Sequence, residues 1–142
     1  PRFGTSGVRQ PPKAIPVKLR YYLLTAVYCA GLFCLSAQSF PPAERALFPG
    51  ADKLAHAVLY AGLAAVVAVG MWRAPNRSPR RTSLLCVPFL FAAAYGLFEE
   101  VHQYFVPSRT FDWADVAANA AGALAAQAVF AIWQMRRPPA EE

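Results

Sequence analysis

Four blocks of apolar residues, separated by short polar stretches, set the pattern of the chain. Each block is about 17 to 22 residues long, enough at 1.5 Å per residue to cross a hydrocarbon core of roughly 30 Å. The pattern predicts span one from Tyr21 to Gln38 and span two from Asp52 to Trp72. Span three is predicted from Leu84 to Phe105, with Pro107 helping to end it, and span four from Trp113 to Met135. Tyr21 and Tyr22 suit an interfacial aromatic belt. The Pro41-Pro42 pair and Pro49-Gly50 bracket a loop with room for one short helical turn. Residues 1–20, rich in Pro, Gly and basic side chains, read as a disordered tail, and residues 138–142 as a short C-terminal tail. The body, residues 21–137, is expected to be an all-α integral membrane four-helix bundle with four transmembrane spans. Small residues support close packing, which lipid itself does not drive. Span four offers Ala114, Ala117, Ala118, Ala121, Gly122 and Ala125, and span three Ala92, Ala93, Ala94 and Gly96.

Composition agrees. Of 142 residues, 56% are hydrophobic and only 15% charged, against roughly 25% charged in soluble domains. The opening resembles a signal peptide, but its apolar run exceeds an h-region and Leu35-Ser36-Ala37 is a poor cleavage site, so it reads as a retained span. The net charge of +6 could suggest nucleic acid, yet the basic residues lie between apolar blocks, where they act as a topology signal. The tail carries Arg2, Arg9, Lys13, Lys18 and Arg20, the second loop Arg73, Arg77, Arg80 and Arg81, and the C-terminus Arg136 and Arg137. The opposite side has only Arg45, Lys53 and Arg109. By the positive-inside rule both termini face the cytoplasm, and the loops around 39–51 and 106–112 face outward. No nucleic-acid partner is expected. The partner is the bilayer. Cys29, Cys34 and Cys86 lie within apolar blocks and read as packing residues, not as a metal set or disulfide framework.

Polar residues gather at the outward ends of three spans. Span two enters with Asp52, Lys53, His56 and Tyr60, an arc of about 100° on one helix face. Span three leaves through Glu99, Glu100, His102 and Gln103. Span four begins with Asp112, Asp115 and Asn119, with Arg109 in the preceding loop. Polar groups at membrane depth turn toward a bundle interior or a wet cavity, so a shared outward-facing pocket is the economical reading. Plainer roles exist for each. Asp52 and Asp112 stand where N-caps belong, and Asp112 with Asp115 imitates a capping box. Lys53 reads as a snorkelling cation, Tyr60 as a packed aromatic, His102 as a headgroup-facing residue and His56 as a hydrogen-bonded core histidine. Glu99 and Glu100 resist such roles. They lie where the helix dipole disfavours negative charge, and adjacency opposes double ionisation. Arg109, Lys53 or a protonated His56 is within reach to compensate them.

The series Asp52-Lys53-x-x-His56-x-x-x-Tyr60, Glu99-Glu100-x-His102-Gln103-x-Phe105-Val106-Pro107-x-Arg109 and Asp112-x-x-Asp115-x-x-x-Asn119-x-x-Gly122 resembles the VanZ-like family. The resemblance covers spans two to four, and its order and spacing are specific. It implies a small bacterial inner-membrane protein linked to low-level resistance to the glycopeptide teicoplanin. Ser108 stands where the family often has Gly, which asks for a turn without an obligatory positive φ.

Three function classes follow. The first is a non-enzymatic envelope protein whose pocket binds a lipid headgroup, a cell-wall precursor or a partner. The second is a membrane-embedded hydrolase or transferase acting on a lipid-linked substrate. In it His56, Glu99, Glu100 and Asp115 would be acid–base groups or metal ligands, and Arg109 would hold a phosphate or carboxylate. Glu99-x-x-His102 has the i, i+3 form of carboxylate-bridged di-iron bundles, but it occurs once. No nucleophile motif or phosphate-cradling loop is present. No metal or cofactor is expected. A transporter is the third reading, because the cytoplasmic halves of the spans lack polar residues to continue a path.

Overall fold

The computed structural model describes residues 16–38, 48–73 and 79–136. It contains four helices: α1 (Val17–Ser36), α2 (Ala51–Arg73), α3 (Arg81–Gln103) and α4 (Trp113–Met135). No strand occurs among the described residues. All four helices are long and apolar enough to cross a membrane. The chain is a multi-pass membrane protein whose environment is the bilayer. Positions 1–15, 39–47, 74–78 and 137–142 lie outside the described residues, and with them the C-terminal tail, Pro41-Pro42, the anticipated turn in the first loop, and Arg2, Arg9, Lys13, Arg45, Arg77 and Arg137. Of the expected disordered tail 1–20, residues 17–20 are instead the first turn of α1, because the apolar run carries the helix back past its flanking cations.

The helix ends differ from the apolar runs for local reasons. Helix α1 starts at Val17, so Lys18 and Arg20 are helical, and it stops at Ser36, two residues before the apolar run ends. Helix α3 begins at Arg81, three residues ahead of Leu84, with Arg80 as its N-cap, because the first turn lies in the interfacial zone where charge is tolerated. It ends at Gln103 with Tyr104 as C-cap, four residues before Pro107. The turn that follows corrects one expectation: Ser108 has φ +64°, so this loop does take the left-handed conformation. Asp52 is not an N-cap. Gly50, at φ +83°, turns the chain into α2 one residue before Ala51, which leaves Asp52 within the first helical turn.

Successive helices run antiparallel, so the start of α2, the end of α3, the start of α4 and the end of α1 share one end of the bundle. Alanine and glycine set the spacing. The core of Leu32, Tyr60, Leu63, Ala64, Ala92 and Ala123 is narrow, and a second cluster of Ala68, Leu84 and Phe130 lies toward the other end. Helices α2 and α4 approach most closely: a Cβ on Gly122 would sit 1.9 Å from the Ala57 carbonyl oxygen. Gly96 plays the same part between α3 and α4, where a Cβ would lie 2.9 Å from Asn119. Helix α1 lies outside this trio, packed chiefly on α2. Its buried residues are only Leu32 and Ser36. At the far end, Trp72 and Trp133 meet edge to face at 5.0 Å and Arg73 lies over Trp72.

Candidate functional site

The polar residues of α2, α3 and α4 meet at the shared end in two adjoining groups. The first is organised by Lys53. Its Nζ lies 2.6 Å from Asp112 Oδ2, 2.6 Å from Asp115 Oδ1 and 3.1 Å from Asp52 Oδ2. Lys53 therefore does not snorkel away toward headgroups; three carboxylates hold it against the bundle. Asp112 is the N-cap of α4 and its Oδ1 accepts from the Ala114 amide at 2.8 Å. The capping box with Asp115 does not form, because Asp115 turns to Lys53 and His56 instead. The hydrogen bond from Lys53 holds the Asp112 carboxyl below the usual carboxylate range. Its contribution to stability is accordingly present above that range and lost as pH falls through the lowered value.

Behind Lys53 lies His56. Its Nδ1 is 3.0 Å from Asn119 Oδ1 and 3.9 Å from Glu100 Oε1, and its Nε2 is 3.8 Å from Asp115 Oδ2. Glu100 is wholly buried. It accepts from the Asp112 backbone N–H at 3.2 Å through Oε2 and from Gln103 Nε2 at 3.4 Å through Oε1. Three helices thus deliver a histidine, two carboxylates and two side-chain amides to one point. The Gly122 contact makes this possible, since α2 must lie against α4 for His56 to reach Asn119.

Glu99 leaves this group. At 100° per residue its neighbour faces α2 and α4 while Glu99 itself faces α1. Ser36 Oγ donates to Glu99 Oε2 and also lies 3.3 Å from His102 Nδ1. The His102 ring stacks on Phe33 with centroids 4.4 Å apart, so it packs inward and does not face headgroups. Tyr60 is buried in the core beside Gly96. The repulsion expected between Glu99 and Glu100 is eased because each carboxylate has its own neighbours. Arg109, in the loop, reaches the end of α1, where its Nε donates to the Gln38 carbonyl at 3.2 Å. Sequence reasoning missed Ser36. A lone serine in an apolar span carries no signal, and its partners come from a helix 63 residues away. Gln127, buried mid-span with its amide donating to the Ala64 carbonyl, was also missed and ties α4 to α2.

The VanZ/LLP1 family model matches residues 13–134, most of the chain. The chain belongs to the VanZ/LLP1 family. The match takes in α1 as well as the three helices that carry the polar residues, so Ser36 falls inside the VanZ/LLP1 region. Comparison with curated proteins and with solved structures finds no match.

Proposed function

We propose that the polar end of this VanZ/LLP1 protein faces outward from a bacterial inner membrane, with both termini cytoplasmic. There it binds the headgroup of an envelope lipid or a cell-wall precursor, and so alters what teicoplanin reaches. The observation that carries the reading is the convergence of His56, Glu100, Asp115 and Asn119 beside Lys53, partly open through His56 and Asp115. Uncompensated polar groups at this depth are costly, and the far end of the helices carries no comparable set among the described residues. Asp52, Lys53, His56, Glu100, Gln103, Asp112, Asp115 and Asn119 would form the walls, with Tyr60, Glu99 and His102 packed behind them toward the core and α1. Arg109 would take the phosphate or carboxylate of the ligand, where a guanidinium gives a bidentate contact.

Native mass spectrometry of protein purified from membranes tests this. A phospholipid or precursor adduct is expected on the wild type and should be lost in Arg109→Ala; equal adducts on both would refute the role of Arg109. The orientation has its own check in a chain freed of Cys29, Cys34 and Cys86. A cysteine near Ala43 should react with an impermeant reagent in intact cells and one near Ser78 should not. Labelling at Ser78 would reverse the topology.

The second reading is a hydrolase or transferase on a lipid-linked substrate. The placement of the His56 ring between Glu100 and Asp115 favours it. Turnover of such a substrate by the wild type and not by Glu100→Gln would replace binding by catalysis.

A further inference from the structure

His56, Glu100 and Asp115 bring one nitrogen donor and two carboxylates together at the aqueous end. One ligand atom from each lies within 4.8 Å of the others. With Asn119 Oδ1 as the acceptor at 3.0 Å, the neutral tautomer that makes this contact a hydrogen bond carries its proton on Nδ1. The other ring nitrogen, Nε2, is then a bare lone pair, and it faces the carboxylate oxygen Asp115 Oδ2 at 3.8 Å. Two acceptors facing each other repel unless a second ring proton or a metal ion lies between them. Glu100 repeats the problem. Its carboxylate is wholly buried, yet its hydrogen bonds come from an amide side chain and a backbone N–H, both neutral. Lys53 is engaged elsewhere, with Asp112, Asp52 and the other oxygen of Asp115, Oδ1.

We propose that His56, Glu100 and Asp115 bind a divalent first-row transition-metal ion such as Mn2+ or Zn2+. One imidazole with two carboxylates is a mixed nitrogen–oxygen set suited to these ions. Metal–ligand distances of about 2.0–2.2 Å are reached by side-chain shifts on the order of half an ångström. Asn119 supplies what a ligating histidine requires, an acceptor on its second ring nitrogen that fixes tautomer and orientation. Asp115 bridges, with Oδ1 on Lys53 and Oδ2 on the ion. His56 and Asp115 retain side-chain exposures of 21% and 13%, so an ion can enter from the aqueous end. Three protein donors leave coordination positions for water or for the oxygen of an anionic ligand. The metal site stands on its own and does not require the headgroup reading.

The test uses the full chain in detergent, stripped with a chelator and titrated with Mn2+ alone. One equivalent should bind, and pulsed electron paramagnetic resonance should show a single directly bound imidazole nitrogen. Asp115→Asn and His56→Gln should each weaken binding at least tenfold, while Cys34→Ser should not change it. Absence of binding, or binding without an imidazole signal in the wild type, overturns the proposal, and neither readout depends on whether a variant folds. Binding unchanged in the folded Asp115→Asn and His56→Gln variants also overturns it. In that case the cation between the acceptors is a proton.

Discussion

Gly122→Ala is expected to be the most damaging single-methyl change in the protein. The added Cβ would stand 1.9 Å from the Ala57 carbonyl oxygen and 2.6 Å from its carbon, both backbone atoms that no rotamer change can move. Helices α2 and α4 must separate by about 1 Å or more, and overpacking of this kind costs about 3 kcal/mol. A fall of roughly 10 °C in melting temperature in detergent follows. The damage should reach the polar end, because His56 meets Asn119 only while these helices touch. Gly31→Ala is the matched control, since nothing lies within 4 Å of its would-be Cβ. Equal melting of the two variants would show that α2 and α4 do not pack as described.

Lys53→Met should rank next. It removes the ammonium shared by Asp52, Asp112 and Asp115 while keeping an unbranched side chain one atom shorter. Breaking a fully buried ion pair costs about 3–5 kcal/mol. Lys53 keeps a third of its side chain exposed, so solvent screens part of the loss and about 2 kcal/mol is expected. Asp115→Asn in the same background should restore part of it, because Asp115 is the most buried of the three partners. A double variant that melts no higher than Lys53→Met alone would contradict this pairing.

The four-helix architecture was legible in the sequence because it rests on block length and apolar content, which survive any detail of packing. The end at which polar groups gather was legible for a related reason. Antiparallel connection brings Asp52, Glu100 and Asp112 to one level whatever the helix rotations. Partnerships within that end were not legible. Glu99 and Glu100 are neighbours in sequence, but a 100° turn sends one to Ser36 on α1 and the other to His56 on α2. The motif spacing placed Lys53 at the interface, whereas its actual position depends on three carboxylates from two helices. The left-handed Ser108 had no sequence signal beyond a glycine that is not there.

The central claim is that the polar end holds a ligand and that Arg109 serves that ligand more than the fold. Arg109→Ala, followed by thermal melting in detergent beside teicoplanin sensitivity of expressing cells, tests it most directly. Arg109 sits in the loop at the aqueous end, where its guanidinium can be solvated without the glutamates. The melting temperature should therefore stay nearly unchanged while resistance is lost. A large fall in melting temperature that Glu100→Gln reverses would contradict the claim and make Arg109 a counter-ion for the buried glutamates.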